Sequence, residues 1–278
     1  MKMKLSALYG LKFNPFTPDV PVDALHAHDR LEQFCWRIEH AFIKEGGFAL
    51  ISGEPGTGKS VTLRILSERL VKMRDTQVGV LSHPSSNLAD FYRELGDIFG
   101  VPLSAHNRWN GFKNLRERWV SHLENTLLRP ILFIDEAQEM PPNVFNELRL
   151  LTSMQFDSRV LLSVVLAGDQ RLNDKLRKDE LLPIGSRIRV RLNTEYASTE
   201  QLMQSLVHLF TQAGNPHLMT DELMKILCEH ALGNYRVLCT MGNELLSTAV
   251  QHERTQLDEK LYFECFAVQQ HSIKRKSN

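Results

Sequence analysis

Eight consecutive residues constrain this chain more than any other feature: Gly53-Glu54-Pro55-Gly56-Thr57-Gly58-Lys59-Ser60. They satisfy the pattern GxxxxGK[ST] at every fixed position. The glycines permit a turn tight enough for backbone N–H groups to converge on one anion. Before the turn, Gly47 to Ser52 read as a short buried strand. After it, Lys59 to Met73 carry Leu63, Leu66, Leu70 and Met73 on one helical face. That context suits phosphate, because the helix points its positive N-terminus at the same anions. Lys59 supplies a cation for the β- and γ-phosphates, and the Ser60 hydroxyl can ligate Mg²⁺. ATP and Mg²⁺ are therefore the expected ligands, with residues 53–60 as their cradle. The plainer reading is a glycine-rich turn with a surface lysine.

A second constellation lies at Ile131-Leu132-Phe133-Ile134-Asp135-Glu136. An apolar run that ends in acids reads as a buried parallel strand, whose C-terminal end opens on the crevice beside the loop. Asp135 is expected to share the Mg²⁺ shell with Ser60. Glu136 can orient and deprotonate an attacking water, which favours hydrolysis over transfer to an organic acceptor.

Further strands are expected near Gln77–Ser82, Val160–Ala167 and Ile188–Leu192. Helices are expected at Asp29–Lys44, Asn87–Phe99, Phe112–Leu127 and Asn143–Ser153. Strands alternating with helices imply an α/β fold with a parallel sheet flanked by helices. From about Thr199 only helical patterns remain: Thr199–Ala213, Thr220–Leu232, Tyr235–Gln251 and Asp258–Val268. The expected divisions are an N-terminal segment with the first helix (1–46), an α/β nucleotide-binding core (47–197), a small all-helical lid (198–270) and a disordered tail (271–278).

Composition adds mainly exclusions. Lysine plus arginine and aspartate plus glutamate both number 33, so the chain is not coated in basic charge. No apolar run approaches the roughly 18–20 residues of a membrane helix, and the opening residues make a poor secretory signal. A cytoplasmic protein without a membrane partner is expected. The four cysteines are widely spaced without a CxxC pair, and neither His26/His28 nor Cys228/His230 has enough neighbouring ligands for a metal.

The succession GEPGTGKS, FIDEAQ, VLAGD, SRIRVRL and GNYR resembles the AAA+ ATPases, in their initiator-like and ExeA-like branch. The opening LYGLKFNPF resembles the segment that precedes the core in ExeA-like proteins, near the adenine. Transposon-encoded ATPases of the TniB and TnsC kind share the layout. The resemblance implies a P-loop AAA+ core with a helical lid and carries roles to single positions. Asp169 falls where a first sensor stands, although many relatives carry asparagine there, and an anionic sensor needs a compensating cation or water. Its other reading is a helix cap before Gln170. Arg187, with Arg189 as second choice, falls where an arginine finger reaches a neighbouring subunit's nucleotide, and a permanently charged planar fork suits that task. The other reading is a solvated strand end in alternating register with Arg191. Arg236 falls at the second sensor, or is a helix-start arginine paired with Glu229 or Glu244.

For the partner, cations interleave with aromatics from Arg108 to Trp119. Lys113 and Arg116 share a helix face that can meet a phosphate backbone; alternatively, these charges simply face water. The resemblance implies an ATP-dependent ring or filament on duplex DNA, without sequence preference, that recruits a separate transposase. No strand-transfer site is readable in this chain. The alternative is an ExeA-like secretion-assembly ATPase. Such proteins usually continue into a membrane anchor and a cell-wall-binding region, whereas this sequence ends at Asn278. A small-molecule kinase would lack Glu136 and the GNYR helix.

Overall fold

The computed structural model describes residues 2–103 and 107–274. In chain order its elements begin with α1 (Lys2–Tyr9), α2 (Asp29–Arg37), β1 (Gly47–Gly53), α3 (Lys59–Val71), β2 (Thr76–Leu81), α4 (Leu88–Phe99) and α5 (Arg108–Ser121). There follow β3 (Arg129–Ile134), α6 (Pro142–Thr152), β4 (Ser153–Met154), β5 (Arg159–Val160), β6 (Ser163–Gly168), α7 (Gln170–Leu176) and β7 (Ile188–Thr194). The remainder is helical: α8 (Thr199–Ala213), α9 (Asp221–Ala231), α10 (Tyr235–Gln251) and α11 (Glu259–Lys274). Contacts sort the chain into two compact units. One comprises Ala27–Glu54 and Lys59–Thr194; the other comprises Met1–His26, Pro55–Gly58 and Glu195–Asn278.

The α/β unit is built on a five-stranded sheet in the order β2-β3-β6-β1-β7, with every pairing parallel. β1 and β6 are buried along almost their whole length and consist of near-continuous apolar runs, as strands covered on both faces must be. β7 is an edge strand and alternates instead. Val190, Leu192 and Thr194 are buried, while Arg189, Arg191 and Asn193 face outward. The core gathers Phe48, Phe91, Phe99, Trp119, Phe133 and Phe145 at no more than 2% exposure. Trp119 meets Phe99 edge to face, with ring centroids 5.2 Å apart.

Local differences from the expected elements have local causes. The first long helix is α-helical only to Arg37 and continues through a π turn at Ile38–Phe42. Pro130 is the second residue of β3. Arg129 donates its N–H to Asp75 O on the β2 side. Donors alternate along a strand, so the missing Pro130 donor faces the β6 side, where pairing starts only at Ile131. The strand expected from Val160 is broken, because Leu161 and Leu162 both turn their N–H groups onto Thr152 O. The first part of that run forms β5, which pairs antiparallel with β4, and the second forms β6. The helix expected from Phe112 begins earlier, at Arg108, and residues 104–106 lie outside the described residues. The last helix runs on through Lys274, and residues 275–278 of the expected tail lie outside the described residues.

A polar triad around the buried Glu147 anchors α5, with Arg108 reaching it from the surface. Glu147 of α6, only 3% exposed, accepts hydrogen bonds from the Tyr92 hydroxyl and from Arg108, whose Nε lies 3.2 Å away. Burial and the facing Glu147 carboxylate push the Tyr92 hydroxyl far above its ordinary pKa, so it remains a donor.

The helical unit has its own core, in which Leu5, Leu11 and Phe16 of the N-terminal segment join Leu206, Phe210, Leu227 and Leu245. Phe16 meets Phe210 edge to face at 5.6 Å. Asn14 donates to Asn243 Oδ1 at 2.8 Å, and Lys12 N–H donates to Ala213 O at 2.9 Å. The caps follow sequence chemistry: Ser198 and Gln201 form a reciprocal capping box, and Thr220 and Asn234 cap α9 and α10.

Trp119 supplies the sharpest packing test. Its Nε1 finds no hydrogen-bond partner among the described residues, so its contribution is one of volume. Trp119→Ala is expected to lower stability by about 3–5 kcal/mol in urea unfolding. Trp119→Phe should cost clearly less, because it fills most of the space and removes an unpaired donor.

Candidate functional site

The neighbouring strands β1, β6 and β3 end at Gly53, Gly168 and Ile134, and their C-terminal ends share one edge of the sheet. β1 and β6 are in register from Gly47↔Ser163 to Ser52↔Gly168, and β6 and β3 from Ser163↔Ile131 to Leu166↔Ile134. That edge is where open parallel sheets hold ligands. It delivers Lys59 and Ser60, Asp135 and Glu136, and Asp169 from three separate stretches of sequence.

Lys59 is 8% exposed, and its ammonium donates to Gly53 O at 2.8 Å and Glu54 O at 3.1 Å. The lysine thus lies folded against the carbonyls of the loop that precedes it. Ser60 Oγ donates to Asp135 Oδ2 at 3.0 Å, which ties the start of α3 to the end of β3. The other Asp135 oxygen accepts the Glu136 N–H at 2.9 Å. A hydroxyl paired with a carboxylate is a hard oxygen donor set and fits Mg²⁺, with phosphate oxygens and water completing the shell. Among the described residues no cluster of three or more His, Cys, Asp or Glu is placed to hold a metal by itself.

Two loop glycines are required by conformation. Gly56 has φ +83° and Gly58 φ +99°, a region where side chains are strained. The middle of the loop, Pro55–Gly58, counts with the helical unit. There Asn234 Nδ2 donates to Pro55 O at 3.1 Å, and Tyr235 N–H donates to Gly56 O at 3.0 Å.

Glu136 is exposed and sits at φ 49°, an unusual conformation for a non-glycine residue. Its Oε2 accepts a hydrogen bond from Gln138 Nε2. The Gln138 Oε1 in turn accepts the Asp169 N–H at 3.3 Å. Gln138 is 7% exposed and links the acid after β3 to the residue after β6. The one sequence signal for it is its place two positions after Glu136; in the structure Gly168 stands opposite, where a Cβ would lie 2.5 Å from its Oε1.

Asp169 caps α7 by accepting the Arg171 N–H at 2.9 Å, so the helix-cap reading holds in the structure. Partial burial works against its ionisation. Hydrogen bonds from the Arg171 side chain and backbone, with the charges of Arg171 and Lys59, more than offset that and hold the carboxyl below its usual range. Arg171 is the compensating cation that an anionic residue here needs.

The arginines are engaged within the chain. Arg187 donates to Pro183 O at 2.6 Å and pairs with Asp157, beside the β4–β5 turn. Arg189 lies 3.5 Å from Glu45, and Arg191 donates to Gly185 O at 3.3 Å. Arg236 occupies the first turn of α10 and is exposed. Lys113 is exposed and 3.7 Å from Glu117. Arg116 is different. It donates to the carbonyls of Leu150 and Ser153, both at 2.8 Å, and lies 4.9 Å over the Phe112 ring. Its guanidinium is bound to α6 and its exit rather than held out toward a partner.

Residues 43–176 match a family model described as an AAA domain. A General secretion pathway protein A from Aeromonas hydrophila is 31% identical over 186 residues, which is 66% of this chain and 33% of that protein. The chain thus spans about a third of the length of the curated relative it matches. Among solved structures, an Aeropyrum pernix ORC2 protein superposes with a TM-score of 0.73 at 13% identity, over 94% of this chain and 72% of its own. Cdc6p from Pyrobaculum aerophilum gives 0.68 at 18% identity, over 87% and 67%. Drosophila ORC bound to DNA gives 0.67 at 16%, over 90% and 63%. At these identities the likeness is one of fold, and that fold is the P-loop AAA+ arrangement.

Gly168→Ala tests the packing of this edge. The added methyl would meet Gln138 Oε1 at 2.5 Å and Leu172 Cδ2 at 2.8 Å. A loss of about 1–3 kcal/mol in urea unfolding is expected.

Proposed function

We propose, from the premise of an AAA+ P-loop ATPase, that this chain binds ATP with Mg²⁺ at residues 53–60, hydrolyses it with Glu136, and uses the cycle to assemble on duplex DNA as a regulator of transposition. The observation that carries the nucleotide part is the Ser60–Asp135 hydrogen bond of 3.0 Å, with Lys59 and Glu136 adjoining it. Lys59 leaves the loop carbonyls for phosphate oxygens. Ser60 and Asp135 hold Mg²⁺, which when bound neutralises charge on the phosphates. Glu136 orients and deprotonates water, and Gln138 fixes the carboxylate that does so. Asp169, balanced by Arg171, senses the γ-phosphate from the end of β6. Arg236 acts as the second sensor, and Arg187, once exchanged from Asp157, acts on a neighbouring copy.

Lys59→Ala is expected to abolish nucleotide binding. Glu136→Gln should keep binding and reduce turnover by about 10²-fold or more. Equilibrium binding and phosphate release separate the two, and equal loss of ATP affinity in both would contradict the division of roles. Sedimentation with ATP and DNA should show oligomers larger than those formed with ADP, and a strict monomer would remove the trans role of Arg187.

The DNA reading draws on fold neighbours, since Drosophila ORC is described as bound to DNA and Aeropyrum pernix ORC1 as in complex with DNA. It also draws on Lys113, whose exposed ion pair with Glu117 is weak enough to exchange for a phosphate. The second reading, a secretion-complex assembly ATPase, is favoured by the 31% identity to General secretion pathway protein A. Where the chain ends does not weigh between the two, because the sequence spans only part of that relative. Among the described residues no helix is long and apolar enough to cross a membrane.

Gel shifts of duplex DNA with ATP, a non-hydrolysable analogue and ADP discriminate the readings. The DNA reading predicts ATP-dependent, salt-sensitive binding, with Lys113→Ala lowering the salt slope by about one. No binding in any nucleotide state at low salt would favour the secretion reading.

A further inference from the structure

We infer that Asn234 is a positioning residue for the phosphate loop: with the backbone N–H of Tyr235, it turns two loop peptides so that their N–H groups face the anion. The inference rests on the nucleotide reading above and deepens it. Every atom in the arrangement belongs to one compact unit, since Pro55–Gly58 and Glu195–Asn278 count together.

The argument starts from the planarity of the peptide bond. In a trans peptide the C=O of one residue and the N–H of the next point in opposite directions. Pro55 O is held by Asn234 Nδ2 at 3.1 Å, so the Gly56 N–H is turned away from Asn234. Gly56 O is held by Tyr235 N–H at 3.0 Å, so the Thr57 N–H is turned away from α10. Two consecutive donors therefore face the other side of the loop, and convergent donors of this kind make an anion-binding concavity. Were either peptide to flip, a carbonyl oxygen would replace a donor and repel the phosphate.

Asn234 performs two tasks at once. Its Oδ1 caps α10, accepting from Arg236 N–H at 2.9 Å and Val237 N–H at 3.2 Å. Its Nδ2 is thereby directed at the loop. Asparagine combines acceptor and donor on one short side chain; aspartate supplies only the acceptor, and serine is one atom too short to span both tasks. The fit leaves no space for a side chain at position 56, where a Cβ would lie 2.0 Å from Asn234 Oδ1. This gives the second glycine of the motif a cause beyond its φ of +83°.

The test uses the full chain and two variants that keep the helix cap, Asn234→Ser and Asn234→Asp, since all three residue types cap helices about equally well. ATP and ADP affinities are measured by equilibrium titration with Mg²⁺, alongside urea unfolding and the amide resonances of Gly56 and Thr57 without nucleotide. The expected result is a loss of affinity of roughly three- to tenfold for both nucleotides in Asn234→Ser. Asn234→Asp should lose more, because its carboxylate faces Pro55 O. The Gly56 and Thr57 amides shift, and the urea midpoints stay at the wild-type value.

Wild-type affinity in both variants would overturn the inference. So would an affinity loss that appears only together with a lowered urea midpoint, which is the signature of a cap and nothing more. Lys59→Ala serves as the control on the underlying reading. If the wild-type chain and Lys59→Ala bind ATP equally poorly, the nucleotide reading itself has failed. If Lys59→Ala alone loses binding while both Asn234 variants retain it, only the role of Asn234 has failed.

Discussion

The hydrogen bond from Ser60 to Asp135 is the contact on which the rest of the arrangement depends. It joins the first residues of α3 to the end of β3, two points 75 residues apart in sequence. The sheet makes the meeting possible, since β6 lies between β1 and β3 and all three strands run in the same direction. A strand order in which β1 and β3 lay at opposite edges would leave the loop without its acid. The sheet topology is therefore part of the site chemistry, because it places a hydroxyl and a carboxylate together beside the glycine-rich loop.

Around that contact the site is a chain of short polar links rather than a set of isolated side chains. Asp135 holds Ser60 with one oxygen and the Glu136 N–H with the other. Gln138 connects Glu136 to Asp169, and Asp169 is balanced by Arg171. Lys175 donates to the carbonyls of Gln138 and Met140 and pins the same segment from below. Such coupling means that the acid after β3 and the residue after β6 respond to one another, since neither can move without disturbing the glutamine between them.

Much of this was legible in the sequence, for identifiable reasons. The loop and the DE pair are contiguous and chemically unusual, so short windows reveal them. The inner strands β1, β3 and β6 announce themselves as apolar runs, and β7 as an alternation of apolar and polar residues. The helical remainder shows its periodicity, although α1 was not foreseen, since residues 2–9 have no marked apolar face. What stayed hidden depends on contacts between distant segments. The Val160 run divides because Thr152 captures two successive N–H groups, and a linear reading cannot see that acceptor. Arg116 looks like a free cation on a helix face, yet its partners are two carbonyls more than thirty residues away. Gln138 and Asn234 are ordinary residues in composition, and their importance appears only once Gly168 and Gly56 are found pressed against them.

The central claim is that residues 53–60, with Asp135, hold the phosphates of a nucleotide. The most direct measurement is a titration of the purified chain with a fluorescent ATP analogue, with Mg²⁺ and again with a chelator, followed by competition with unlabelled ATP. The account predicts saturable binding that unlabelled ATP displaces and that weakens when Mg²⁺ is removed. Binding that fails to saturate, or that unlabelled ATP does not displace, would contradict it.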